Sequence, residues 1–221
     1  MQNLPTPNIV RSVKRTMSMH ISPKGDLIIK APFFVPERLI ENFIKAKQEW
    51  IFKALQKVES RKVSQKTYLE GEEFLYLGDA YKLHIGNFKE ITAADGFLNF
   101  PDFMVFRIKK ELANWYIRES KKVITQRVVQ VSVKMGTKFK SIRFSDTSSK
   151  WGTCFHDNSL QFNWRLVMTP LTVINYVVVH ELAHTKEKNH GPRFWAKVSL
   201  YTPAFKQHRK WLEKNKHLLN F

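Results

Sequence analysis

The chain has 221 residues, of which 43% are hydrophobic and 25% are charged. These values are ordinary for a globular protein and exclude a disordered or collagen-like chain. The single cysteine, Cys154, excludes an internal disulfide and a structural zinc site built from thiolates, and it favours a reducing compartment. We find no apolar run long enough for a signal peptide or a membrane span, so we expect a cytoplasmic protein with no membrane partner.

The charge of the chain is unusual. Lys and Arg number 37 against 19 Asp and Glu, which gives a formal net charge of +18. Asp146 is the only acidic residue among residues 120–150, and Glu213 is the only one after Glu187. A surface this basic attracts polyanions such as nucleic acid, although a solvated basic surface without a specific partner is the alternative.

The first predicted elements are strands and a helix. Apolar and polar residues alternate over residues 13–21, which is typical of a strand, and a turn at 22–26 leads to a partner strand from Leu27. Pro36 then opens a helix, because proline is tolerated in the first turn, and apolar residues recur at helical spacing as far as Val58. This part is therefore expected to be rich in β-structure, with one long helix.

The middle of the chain predicts a hairpin and a second long helix. Short strands at 74–77 and 81–85 flank a Gly78-Asp79 turn. Helical spacing of apolar residues predicts a helix over residues 102–134, which stops before Gly136. Five of its apolar residues are expected to face inward: Val105, Ile108, Leu112, Trp115 and Tyr116.

The last part predicts a second hairpin followed by three helices. Residues 141–155 and 160–168 are predicted to form its two strands. Thr169 is expected to cap the third helix, with Pro170 in its first turn, and two more helices start at Pro192 and Pro203.

Strands early in the chain and helices late predict an α+β fold. We expect one domain over residues 8–217. Its N-terminal β-rich subregion covers residues 8–95, and its catalytic subregion covers residues 96–221.

The third predicted helix contains His180-Glu181-Leu182-Ala183-His184. Histidines four residues apart share one helix face, so both imidazoles can reach a single ion. Glu181 does not bind the metal and can accept a proton from water that the metal activates. This is the metalloprotease pattern, and it predicts zinc as cofactor and Glu181 as the catalytic residue. The alternative is a pair of histidines on an ordinary core helix.

A tetrahedral zinc site needs a third protein ligand, and His190 is the first choice. Asn189 tolerates the left-handed conformation at a helix end, and Gly191-Pro192 delays the next helix until the chain has turned. Glu213 is the rival ligand, but its lysine-rich surroundings suit a solvated helix face. The alternative for His190 is a histidine that only interacts with helix carbonyls.

Four segments resemble a known family, at residues 149–154, 162–166, 176–184 and 189–195. They are similar to the YgjP-like metallopeptidase family, predicted zinc metallohydrolases related to the SprT-like zincins. The resemblance implies a zincin-like core, with a β-hairpin or sheet packed on the active-site helix and on C-terminal helices. It also implies three zinc ligands and a catalytic acid/base, which would be His180, His184 and His190 with Glu181.

The surroundings of the metal are predicted less closely. An edge strand from the second hairpin is expected above the active-site helix, with Trp151 and Gly152 near the cleft, where glycine permits a close backbone approach. The alternative is that Trp151 and Trp164 are core aromatics. Cys154 is expected to act as a small buried hydrophobe. Four residues are candidates for stabilising an oxyanion, namely Arg165, Arg193, Tyr201 and His208.

The function expected from these residues is that of a zinc-dependent metallopeptidase acting on a polypeptide. A second hypothesis keeps the metal but takes a nucleotide, so that the activated water attacks a phosphoanhydride. A third, based on charge alone, is a DNA-associated module in which the zinc site accompanies nucleic-acid binding.

Overall fold

The computed structural model describes residues 4–22, 24–63, 66–147 and 150–219. It divides into two compact units, Met1–Gln65 and Lys66–Phe221. Both units combine helices with small sheets, which confirms the predicted α+β class. The units divide after residue 65, whereas the sequence separated its subregions after residue 95. The assignment of residues 8–217 to one domain stays a prediction.

The first unit contains a three-stranded sheet and two helices. Its strands are β1 (Asn8–Ser12), β2 (Ser18–Ile21) and β3 (Leu27–Pro32). The central strand is β3, parallel to β1 and antiparallel to β2. Leu27, Ile29 and Ala31 alternate along β3 and are fully buried, so one face of this strand forms the core of the unit.

Two predictions for the first unit need correction. Only residues 18–21 of the strand expected over 13–21 are in β-structure. The single helix expected after Pro36 is two helices, α1 (Glu37–Ala46) and α2 (Gln48–Val63). The backbone leaves helical geometry at Lys47, with φ −111° and ψ 13°, and this one residue interrupts a continuous apolar stripe.

The second unit begins with a four-stranded sheet. Its strands are β4 (Glu73–Tyr76), β5 (Asp79–Gly86), β6 (Thr92–Ala94) and β7 (Phe97–Pro101), in the order β4-β5-β7-β6. The antiparallel β4–β5 pair confirms the predicted hairpin, whose turn contains Gly78 with φ +95°. The parallel pairing of β5 with β7 had no local signal in the sequence.

The long helix α3 (Ile108–Met135) spans this unit. Gly136 ends it in the left-handed conformation, as expected for a glycine at a helix C-terminus. The start was predicted too early, because residues Asp102–Arg107 form a 3₁₀ helix and Val105 is 45% exposed. Leu112, Trp115 and Tyr116 are buried as predicted, and the Tyr116 hydroxyl donates to the Leu75 carbonyl of β4 at 2.9 Å.

A second small sheet follows α3. It contains β8 (Ile142–Ser145), β9 (Gly152–Cys154) and β10 (Leu160–Asn163), in the order β8-β10-β9. The predicted hairpin is present as the antiparallel pair β9–β10, but the extent of both its strands was predicted wrongly. Residues 141–155 contain two separate strands, with β8 parallel to β10 and β9 antiparallel to it. Residues Trp164–Met168 form a 3₁₀ helix, because the Asn163 side chain accepts the Arg165 backbone N–H and turns the chain.

Three helices complete the unit: α4 (Leu171–Ala183), α5 (Pro192–Tyr201) and α6 (Phe205–Asn215). Pro170, not Thr169, is the N-cap of α4, since the Thr169 hydroxyl donates to the Leu166 carbonyl. Most of α4 is buried, and it contacts α3, α5, α6 and β9, which makes it the central element of the unit. No helix in the described residues is both long and apolar enough to cross a membrane.

Candidate metal centre

Helix α4 presents two of the predicted ligands. His180 and His184 lie one turn apart at its C-terminal end, where the His184 backbone N–H still bonds to the His180 carbonyl at 3.3 Å. The helix is held by core residues such as Ile174, Val178 and Leu182, each fully buried. Both imidazoles are therefore positioned by an element that the hydrophobic core keeps rigid.

His190 reaches the same point from the segment between α4 and α5. Its Nε2 atom lies 3.1 Å from Nε2 of His180 and 3.2 Å from Nε2 of His184. The next helix starts only at Pro192, which occupies its first turn, so the chain has room to fold back. The structure thus brings the three predicted histidines together, although His190 itself is exposed to solvent.

The distances from His190 Nε2 to the Nε2 atoms of His180 and His184 fit a tetrahedral metal. Bonds of 2.0–2.1 Å from zinc to imidazole place two tetrahedral ligand atoms about 3.3–3.4 Å apart. His184 also has the right tautomer, because its Nδ1 lies 3.0 Å from the Glu187 carbonyl oxygen, which only accepts. The proton therefore resides on Nδ1, and the lone pair of Nε2 faces the other two rings.

The environment favours the neutral form of His180 and His184. Burial, followed by the neighbouring His184 and His190, lowers the pKa of His180 to about 3. Burial also lowers the pKa of His184, against the effect of its bond to the Glu187 carbonyl. Neutral imidazoles are the form that binds a metal ion, so His180 and His184 need no deprotonation at neutral pH.

Glu181 lies on the buried side of α4, against strand β9. It is 5% exposed, and the Cys154 backbone N–H donates a hydrogen bond to its carboxylate. Burial raises the pKa of Glu181 to about 8, while that hydrogen bond and Lys150 oppose the rise. A carboxylate in this setting can take up and release a proton near neutral pH.

The predicted close approach at Gly152 is present. A Cβ atom placed on this glycine would lie 2.5 Å from Oε1 of Glu181 and 2.6 Å from its Cγ. Strand β9 contacts α4 at this distance only because residue 152 has no side chain. Its neighbour Trp151 lines the cavity beside the metal centre, whereas Trp164 is a core residue, 4% exposed.

Two cavities flank the three histidines. The larger, of about 630 Å³, runs beside His180 and Glu181 between α4 and α6. The smaller, of about 280 Å³, has Cys154 and Lys188 in its wall. Burial raises the pKa of the Cys154 thiol, and the charge of Lys188 opposes that rise. Cys154 is half-buried, and its role as an inert hydrophobe stays a prediction.

The structure separates the candidates for oxyanion stabilisation. Arg165 pairs with Asp146 and lies over the Trp164 ring, and it lines a different cavity. Arg193 and Tyr201 are exposed and do not line either cavity at the metal centre. His208 packs against Tyr176, with ring centroids 6.2 Å apart. The rival ligand Glu213 is 3.2 Å from Arg209 and is not part of the histidine cluster.

Sequence reasoning missed four polar residues of the larger cavity, namely Lys150, Tyr176, Arg209 and Lys216. Tyr176 had a usable signal, since it lies four residues before His180 and therefore on the same face of α4. Arg209 had none, because its position depends on how α6 packs against α4.

An α+β unit with three histidines beside one buried carboxylate is typical of metal-dependent hydrolases. The model of the family described as YgjP-like, metallopeptidase domain, matches residues 15–215. The chain therefore belongs to this metallopeptidase family, as the resemblance in the sequence indicated.

Other comparisons add less. A search among curated proteins finds no significant match. Among solved structures, the chain is similar to the metallopeptidase zymogen of Methanocaldococcus jannaschii, jannalysin, at 20% identity and a TM-score of 0.38. The similarity covers 42% of this chain and 95% of that one.

Proposed function

We propose that the protein is a zinc-dependent peptidase in which His180, His184 and His190 hold the metal. The observation that carries this proposal is the spacing of the three Nε2 atoms, at 3.1 and 3.2 Å, with a buried carboxylate one residue from the first ligand. When bound, zinc supplies a Lewis acid that polarises the scissile carbonyl and makes water a nucleophile near neutral pH.

The proton transfers belong to Glu181. One oxygen of its carboxylate accepts a proton from the attacking water, and the same group then delivers that proton to the leaving amine nitrogen. The hydrogen bond from the Cys154 backbone N–H holds the carboxylate in place during both transfers. Gly152 leaves room for the carboxylate because it has no side chain. The buried setting of Glu181 favours its role as both base and acid.

Strand β9 supports a polypeptide as the substrate. It is an edge strand of the small sheet, paired with β10 along one side, and it contacts α4. An extended peptide can add to an edge strand through main-chain hydrogen bonds, and this brings its carbonyls close to the histidines.

The test combines metal content with cleavage of an unstructured protein such as casein. We expect Glu181→Gln to bind zinc like the wild type and to lose at least about 100-fold in turnover, since its amide cannot accept the proton. We expect His184→Ala to lose the metal. The matched control is Glu111→Gln, a partly buried residue of α3 that contacts Arg107. Full turnover in Glu181→Gln, or full zinc occupancy in His184→Ala, would exclude the proposal.

A nucleotide substrate is the second candidate, and the cations around the metal centre favour it. Lys150, Lys188, Arg209 and Lys216 all line the two cavities and would attract phosphate groups. Phosphate or pyrophosphate release from nucleoside triphosphates, measured with the same variants, distinguishes this activity from peptide cleavage.

A further inference from the structure

The larger cavity continues from the metal centre along α4 and reaches α6. Tyr176 lies one turn before His180, so both side chains are on the same face of α4. Arg209 on α6 forms part of the opposite wall. The cavity therefore connects the metal ligands with the Tyr176 hydroxyl and the Arg209 guanidinium, which have no role in the proposed metal binding or proton transfer.

The Tyr176 hydroxyl is available to a ligand. The residue is only 5% exposed, and it lines the cavity. Hydroxyl groups of buried tyrosines usually have a partner. The ring is held by His180 and His208, with centroids 5.9 and 6.2 Å away, so the position of the hydroxyl is well defined.

Arg209 supplies a cation close to that hydroxyl. Its Nε lies 3.2 Å from Glu213 Oε1, which leaves the two terminal amino groups of the guanidinium for another acceptor. Burial raises the pKa of Tyr176, and the charge of Arg209 opposes that rise. Lys150 and Lys216 also line the cavity, so its cations outnumber Glu213 and Glu181.

The remaining wall is apolar. Val177 and Leu212 are almost fully buried and line the cavity, as does Trp195. A volume of about 630 Å³ accommodates an amino-acid side chain with its flanking backbone. The pattern suits a ligand with a short aliphatic stem and an anionic end.

We propose that this cavity is a specificity subsite for a peptide carboxylate, which accepts hydrogen bonds from the Arg209 guanidinium and the Tyr176 hydroxyl. The assignment rests on the proposed peptidase function and specifies its substrate. The carboxylate has two sources, the side chain of an acidic residue next to the scissile bond or the C-terminal carboxylate of the peptide. In the first case the protein is an endopeptidase selective for acidic residues, and in the second it removes residues from the chain end.

Binding of zinc-chelating peptide hydroxamates tests the subsite without turnover. Two probes carry Glu or Gln next to the hydroxamate, and each is made with a free and an amidated C-terminus. We expect the zinc-loaded protein to bind the carboxylate-bearing probe about 10-fold more tightly, as charge-assisted hydrogen bonds contribute. A preference for Glu over Gln identifies a side-chain subsite, and a preference for the free C-terminus identifies a terminal one.

Two variants test whether Arg209 and Tyr176 cause the preference for the carboxylate-bearing probe. We expect the preference for the carboxylate-bearing probe to fall from about 10-fold to less than about 2-fold in Arg209→Gln and to about 3-fold in Tyr176→Phe. Zinc content should be unchanged in both variants. Lys210→Gln is the matched control, since it removes an exposed charge from the next position of α6 and should keep the full preference.

Two outcomes would overturn the assignment. One is equal affinity for all probes in the wild type, and the other is a preference that survives Arg209→Gln. The proposed function fails differently, through absent zinc or through absent cleavage in a zinc-loaded protein.

Discussion

At the scale of single residues, the candidate centre depends on the contact between Gly152 and Glu181. The carboxylate lies on a buried helix and accepts the Cys154 backbone N–H, so it cannot move away without losing both packing and a hydrogen bond. The hypothetical Cβ at residue 152 would lie 2.5 Å from Oε1, closer than real Cβ contacts occur. Either the strand or the carboxylate must shift when a side chain is added.

We therefore expect Gly152→Ala to reduce kcat/KM by about 100-fold, because a displacement of about 1 Å in a catalytic group has an effect of that size. Zinc content should stay at the wild-type level, since the three atoms nearest to the new methyl group all belong to Glu181. Gly191→Ala is the control, because a Cβ there meets nothing within 4 Å. Steady-state kinetics with metal analysis checks both variants, and wild-type activity in Gly152→Ala would contradict the role of the contact.

The site residues that could be predicted from the sequence are those whose positions depend only on local helix geometry. Two histidines at four-residue spacing share a helix face wherever the helix packs, and Glu181 follows from the same spacing. The choice of His190 over Glu213 was a preference, since it depends on how the chain turns after α4. Arg209 was missed because a contact between α4 and α6 leaves no trace in the sequence around either helix.

At the scale of elements, the β4–β5 turn packs on the start of α4. A Cβ on Gly78 would lie 2.8 Å from the Pro170 Cα, and the neighbouring Leu77 N–H donates to the Val167 carbonyl at 2.8 Å. Gly78 also has φ +95°, which side-chain-bearing residues adopt with strain. This turn thus joins the four-stranded sheet to the helix that carries the histidines.

We expect Gly78→Ala to lower the free energy of unfolding by about 2–4 kcal/mol, as the sum of backbone strain and overpacking. Gly96→Ala separates the two effects, because Gly96 has φ +79° but open space around it. Its loss should be about 1 kcal/mol, from strain alone. Urea denaturation measures both, and equal losses would show that the contact with Pro170 is unimportant.

The elements that were predicted wrongly have two different causes. The parallel pairing of β8 with β10 joins strands 18 residues apart in register, so alternation within each strand cannot reveal it. The 3₁₀ helix at Trp164–Met168 interrupts an alternating pattern because Asn163 caps it. By contrast, the start of α5 at Pro192 and the end of α3 at Gly136 follow from the backbone chemistry of those residues themselves.

At the scale of the whole molecule, the positive charge is only partly balanced by ion pairs. Helix α3 has exposed lysines along its length, whereas its Glu111 is close to Arg107 and its Glu119 accepts the Tyr76 hydroxyl. The exposed lysines are Lys109, Lys110, Lys121, Lys122 and Lys134. That nucleic acid binds this surface stays a proposal. It can be tested through the salt dependence of binding.

If nucleic acid binds there, affinity for a short DNA duplex should fall by at least about 10-fold between about 50 and about 200 mM salt, because neutralised phosphates release counterions. The double variant Lys121→Gln/Lys122→Gln should bind more weakly and show a smaller salt dependence. Lys140→Gln is the control, since Asp157 lies 2.9 Å from Lys140 and already balances its charge. Affinity that is independent of salt would exclude an electrostatic interface.

The partner that orients the His184 imidazole is the peptide carbonyl of Glu187. A main-chain oxygen is present whichever amino acid occupies position 187, so exchange of that side chain leaves the acceptor available. Substitution of residue 187 therefore leaves the tautomer of His184 unchanged. If the acceptor were a side-chain carboxylate, a substitution could remove it. The charge at position 187, next to the histidines, can therefore change while the lone pair of His184 Nε2 keeps its direction.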